Sequence, residues 1–222
     1  MINTKRLFVC LANSRKYSGR CIAGIELQKT ITGYRVKRSN DMPVWIRPVS
    51  TEQHGEVYSH LVDHIRLLDI VEITNASPVP DGYQSENCLF QEEKLQVIGK
   101  TPYQKNILDK LLTENMILLF GNRGKAVPKD KIGQLHHSLV FIRPQNFEVY
   151  TTISPKNKDQ VRARYIYNEN PYDLPITDID FIREYQENDN LFQGVNNVYL
   201  TISLGVEFEN WYYKLVAGII YF

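Results

Sequence analysis

The sequence predicts a mainly β protein made of small closed or partly open barrels with one amphipathic helix. Three observations lead there. The last third holds five segments of strand length and β-branched or aromatic content: Ser138 to Arg143, Asn146 to Ile153, Gln160 to Tyr167, Val198 to Leu204 and Tyr212 to Tyr221. Pro, Asn and Gly turns separate them. Strands and helices do not alternate along the chain, which argues against a doubly wound parallel sheet. A single stretch shows sustained helical periodicity. With 222 residues and 43% apolar content, the chain can bury a real core.

From the N-terminus, Leu7 to Leu11 reads as a buried strand and Cys21 to Leu27 as its return. The turn between them, Asn13 to Arg20, is polar, and its charges, Arg15, Lys16 and Arg20, are all positive, with Tyr17 among them. A tip of this kind is suited to meeting an anion. Tyr34 and Val36 then alternate with Arg35 and Lys37, and Val44 to Val49 reads as a short strand ended by Pro48. Trp45 and Arg47 are two apart and share a strand face. That pair suits stacking on a base and pairing with a phosphate. It suits better still a tryptophan filling a small core with the arginine at its rim.

Ser50 to His64 reads as a long loop or a short helix. His60 and His64 would share a helical face, but spacing alone indicates no further ligands, so no metal site is assigned. Leu67 to Thr74 is a strand, and the Asp81-Gly82 turn leads to the polar cluster Tyr83 to Asn87, in which Glu86 reads as a structural acceptor. Thr101, Pro102 and Gln104 then open the helix. Ile107, Leu108, Leu111, Leu112, Met116 and Leu119 give it one apolar face, and Gly121 ends it. The loop after it, Gly121 to Ala126, fails as a phosphate loop because only two residues separate its glycines and it follows a helix. It reads as a basic surface loop.

Charge is distributed unevenly. Residues 1 to 50 carry +8 and residues 51 to 222 carry −7, for a total of +1. Glu169 to Asp189 holds seven acids against Arg183 alone. Such a dipole steers a polyanion to one end, unless the two patches are plain solvated surfaces or face each other across the fold. No apolar stretch approaches the roughly 20 residues of a membrane span, and the first apolar run is too short for a signal peptide, so a cytoplasmic protein without membrane contact is expected. Cys10, Cys21 and Cys88 leave one thiol over in any disulfide scheme and read as buried thiols. No strong catalytic constellation appears, and no cofactor is indicated.

The stretches CLANSRKYSGRCIAG (10–24), WIRPVS (45–50), LLDIVEI (67–73), YQSEN (83–87), RARYIYNENPYDLPITD (162–178), YLTISLG (199–205) and YYKLVAGII (212–220) resemble, in order, the dual OB-containing domain family. The resemblance implies two tandem OB-like barrels, a nucleic-acid-binding role and an association with prokaryotic conflict or defence systems. It brings no catalytic residues. It suggests an N-terminal basic barrel over 1–100, a bridging helix and loop over 101–125, and a C-terminal barrel over 126–222. On such a barrel Arg15, Lys16, Arg20, Arg35 and Arg47 are the candidate phosphate contacts, and Tyr17, Tyr34 and Trp45 the candidate stacking partners. The alternative is a protein-interaction subunit of a defence complex that docks through Asp173, Asp178, Asp180 and Glu184. A third reading is a nucleotide sensor or enzyme using Arg20, Arg47 and Glu86.

Overall fold

The two apolar runs at the N-terminus form a hairpin longer than those runs by themselves. In a computed structural model, which describes residues 5–52, 54–90, 95–114, 116–154, 157–188 and 190–222, β1 spans Lys5–Lys16 and β2 spans Gly19–Thr30. The expected eight-residue turn is thus two strand arms joined through Tyr17 and Ser18. Asn13 and Ser14 are buried within the arm, and the Asn13 Nδ2 donates to the Ile65 carbonyl at 2.9 Å. A bulge between Cys10 and Ala12 kinks β1. Gly24 lies opposite Cys10, where a Cβ would stand 1.9 Å from the Val9 carbonyl oxygen, so only glycine fits.

The chain divides into two units, 1–112 and 113–222. In the first, the hairpin is followed by β3 (Gly33–Val36), β4 (Arg38–Ser39), β5 (Met42–Pro43), β6 (Trp45–Val49), α1 (Ser59–Val62), β7 (Asp69–Thr74), β8 (Ser77–Pro78), β9 (Asn87–Leu89), β10 (Gln96–Lys100) and α2 (Lys105–Leu108). Its main sheet runs β10-β7-β1-β2-β6-β9-β8, with β3 also paired to β2. All these pairings are antiparallel except β6 with β9, which is parallel. The core gathers Phe8, Cys10, Ile22, Ile46, Val71 and Ile73 from the sheet with Leu61, Val62 and Ile65 from α1 and the turn after it. Burial of this apolar surface is what holds α1 against the sheet.

The helix expected from Thr101 to Gly121 is much shorter. It has one turn at α2, continued by a 3-10 turn at Asp109–Leu111, and a separate 3-10 turn at Leu119–Gly121. The reason lies in competing partners for the backbone. The Thr101 amide donates to the Leu68 carbonyl at 2.7 Å. The Thr113 amide donates to the Phe141 carbonyl, and the Phe141 amide returns a bond to the Thr113 hydroxyl. Strand-type bonds at both ends leave few residues free to coil, whatever their periodicity.

In the second unit come β11 (Ala126–Pro128), α3 (Lys129–Ile132), β12 (Leu139–Ile142), β13 (Gln145–Ile153), β14 (Asp159–Tyr167), β15 (Asn170–Pro175), α4 (Ile179–Glu187), β16 (Val198–Phe208) and β17 (Trp211–Tyr221). One sheet runs β11-β17-β16-β12 and another β13-β14-β15. All five strands expected in this third of the sequence are present. The longest helix is α4, inside the acidic stretch, where no helix was expected. Asp178 caps it, its Oδ1 accepting from the Phe181 amide at 3.1 Å. The protein is mainly β, as expected. No helix among the described residues is long and apolar enough to cross a membrane.

Candidate nucleic-acid interface

At the tip of the β1–β2 ribbon Arg15 faces Arg20 and Lys16 faces Gly19 across the strands. Tyr17 occupies the left-handed turn position at φ 48°, which swings its ring outward, and it is 56% exposed. The ring stacks on His54, with centroids 4.0 Å apart and planes 17° from parallel. His54 belongs to a strap, described over residues 50–52 and 54–58, that returns to the ribbon at Val57. Two backbone bonds of 2.9 Å between Arg20 and Val57 fasten the strap, and a Cβ on Gly19 would stand 2.5 Å from the Val57 oxygen. Arg15 is exposed, while Lys16 and Arg20 are partly covered. Burial pushes the Lys16 ammonium below its ordinary pKa, with the Arg47 charge adding to the effect against Cys21 and Glu56. Beneath the tip, the Arg20 Nη1 and the Glu56 Oε2 are buried and find no hydrogen-bond partner among the described residues. Four of the expected contacts, Arg15, Lys16, Tyr17 and Arg20, are therefore brought together.

Arg35 is exposed but pairs with Gln28, nine residues along β2 from the tip, and its Nε donates to the Gln28 Oε1 at 2.8 Å. At about 3.3 Å per residue it lies roughly 30 Å from the tip cluster. Tyr34, on the same strand, is 41% exposed.

Two expectations are corrected outright. Trp45 is only 8% exposed and belongs to the core, so it presents no face to a base. Arg47 is 2% exposed. Its Nε donates to the Asn87 Oδ1 at 2.7 Å and its Nη2 pairs with the Glu86 Oε1 at 3.1 Å, joining β6 to the segment that leads into β9. A buried guanidinium already held by a carboxylate and an amide cannot reach a phosphate. The face that Trp45 and Arg47 share is an inner one, because β6 is covered on both faces, all five of its residues being buried.

The acidic residues expected to dock a partner are scattered in role. Asp178 is buried. Its Oδ2 accepts from the Ile219 amide at 3.0 Å, so it locks α4 to β17 and is not available for docking. Burial pushes its carboxyl up to about 7 against the pull of the Phe181 and Ile219 amides. Asp173 accepts from the Arg162 Nε at 2.7 Å and the Tyr150 hydroxyl at 2.6 Å. Against the push of burial, these two hold its carboxyl below the usual range. Asp180 pairs with Arg183 at 2.8 Å, and Glu184 is exposed on α4. Asp189 lies outside the described residues. His64 bonds the Leu95 carbonyl, and no group of three or more His, Cys, Asp or Glu side chains among the described residues is arranged to hold a metal.

The sequence reading missed His54. Nothing local marks it, because its role depends on a strap that returns to the ribbon nearly forty residues after it.

A family model described as the dual OB-containing domain matches residues 6–219. No curated protein matches the chain. Similar solved structures include the crystal structure of the Ifi202 HINa domain in complex with 20bp dsDNA, at 11% identity over 99% of this chain and 95% of that one, with a TM-score of 0.37. Another is a structure of a murine DNA binding protein bound with ds DNA, at 5% identity over 100% of this chain and 98% of that one, with a TM-score of 0.36.

Proposed function

Since the chain belongs to the dual OB-containing domain family, we propose that it is a non-catalytic nucleic-acid-binding module that takes single strands on the tip of the β1–β2 ribbon. The observation that carries this reading is the convergence of Arg15, Lys16, Arg20 and the exposed, stacked Tyr17 on one tip. Cations meet the phosphates, and the Tyr17 ring offers a face to an unpaired base, which a duplex keeps inside its stack. In a prokaryotic defence system the module would bring its assembly to DNA or RNA.

Fluorescence anisotropy tests this with labelled single-stranded DNA, single-stranded RNA and duplex, each at two salt concentrations. Affinity should fall steeply with salt. The Arg15/Lys16/Arg20 triple-alanine variant should lose most of it and flatten the salt dependence by about 0.7 for each phosphate contact removed. An unchanged affinity in that variant, or no salt-sensitive binding at all, overturns the proposal. The docking alternative keeps one specific support, the exposed Glu184 on α4. It predicts a stable protein complex sensitive to Glu184→Lys.

A further inference from the structure

The second unit carries a ribbon of its own, and its tip is aromatic. β16 and β17 are joined by Glu209 and Asn210, both left-handed at φ 51° and 65°, the pattern of a tight two-residue hairpin turn. Phe208 and Trp211 face each other directly across the strands and are 55% and 43% exposed. Tyr213, two residues on and therefore on the same face, places its ring centroid 6.4 Å from that of Phe208. The other face turns inward, where Lys214 is fully buried.

Neighbouring groups hold this tip rigid and temper its charge. The Lys129 amide donates to the Asn210 carbonyl at 3.0 Å, and its Nζ pairs with Glu207 at 2.7 Å, neutralising an acid on the opposite face of the tip. β11 pairs with β17, setting Pro128 against Trp211. The buried Lys214 ammonium donates to the carbonyls of Asn122 and Gly124, which fixes the loop bearing Arg123 and Lys125 at the edge of the same sheet. The segment from Arg123 to Lys131 thus holds Arg123, Lys125 and Lys131 besides the paired Lys129, with Asp130 its one acid.

From this arrangement we infer that the Phe208/Trp211 tip is a second stacking platform for single-stranded nucleic acid, with the cations of residues 123–131 following the backbone of the strand. The inference rests on the nucleic-acid reading above. Flat rings on a narrow ribbon, bordered by Glu207, Glu209 and Asn210, offer too little apolar surface for a stable protein interface but match the π faces of successive unpaired bases.

Tryptophan fluorescence reads this directly, because of the two tryptophans Trp45 is buried and Trp211 exposed. Oligothymidylate added to the full chain should quench the emission, and Trp211→Phe should abolish the quenching while largely keeping the binding. Phe208→Ala/Trp211→Ala should weaken anisotropy-detected binding about fivefold or more with the salt dependence unchanged. The ribbon variants of the first unit should change that dependence instead. If oligothymidylate binds but Trp211 emission stays constant and the double variant binds as wild type, the second platform is overturned and the nucleic-acid reading stands. If oligothymidylate and the other single strands do not bind at all, both fall.

Discussion

Arg47 separates a structural reading from a ligand-binding one, because each assigns it an opposite phenotype. Arg47→Ala removes a guanidinium that is 2% exposed and leaves the Glu86 carboxylate, whose side chain is 3% exposed, without its countercharge. Breaking a buried pair from one side costs about 3–5 kcal/mol, since the remaining charge stays desolvated. With a urea dependence of about 2 kcal/mol per M for a unit of this size, the unfolding midpoint should drop by about 1.5–2.5 M. Arg47→Met/Glu86→Leu takes out both charges and should recover much of that loss. It should still fall short of wild type by about 1–3 kcal/mol, because the Asn87 Oδ1 loses the 2.7 Å bond from the Arg47 Nε. Urea titrations of wild type and the two variants measure both effects, and anisotropy on the folded proteins should show affinities within about twofold of wild type. A midpoint unmoved by Arg47→Ala, together with a large loss of affinity, would refute the reasoning, for the guanidinium would then face a ligand.

Three other outcomes follow from the packing. Gly24→Ala forces a Cβ to 1.9 Å from the Val9 oxygen and 2.7 Å from the Phe8 ring, and should cost about 2 kcal/mol or more in urea unfolding; a neutral substitution would mean the bulge opens freely. Asp178 has a folded pKa of about 7, above its ordinary value of 3.8, so the folded chain holds a proton that the unfolded chain releases between those values. Its contribution is full below about pH 4 and is lost as the pH rises through 7, by up to about 4 kcal/mol. The difference between wild type and Asp178→Asn should trace that fall in urea midpoints from pH 4 to 8. A difference that grows with pH would show the carboxylate ionised and held by its two amides. Native protein should react with one equivalent of a thiol reagent, at the partly exposed Cys21, and unfolded protein with three. Cys10 and Cys88 are buried, and burial pushes the Cys88 thiol up to about 11; more than one equivalent in the native state would contradict this.

Most of the β architecture was legible because apolar runs bounded by turn residues mark strands regardless of what they pack against. The tip cations and Tyr17 were legible for the same reason, as polar residues between two such runs. Three things were not. Shared strand parity puts Trp45 and Arg47 on one face without saying whether that face is wet, and β6 has no wet face, so the arginine expected at a rim is buried outright. Helical periodicity from Ile107 to Leu119 reports only that apolar residues are spaced for one face. It is silent on the Leu68 and Phe141 carbonyls that draw the backbone of Thr101 and Thr113 into other pairings. Asp178 looked like one acid in a run of acids, although the two amides it accepts from, at Phe181 and Ile219, make it a fastener between a helix and a strand.

The kink in β1 divides the ribbon into two regimes of motion. On the inner side Leu7 to Val9 have strand neighbours on both edges, β2 and β7, whereas from Asn13 to Lys16 the pairing is with β2 alone. Amide hydrogens of the inner half should exchange only on global unfolding, and those of the outer half through a smaller opening that leaves the core intact. The tip can therefore be remodelled, by a ligand or by changes in its sequence, at little cost to the rest of the unit. A recognition element set beyond such a joint behaves as an exchangeable head on a fixed shaft.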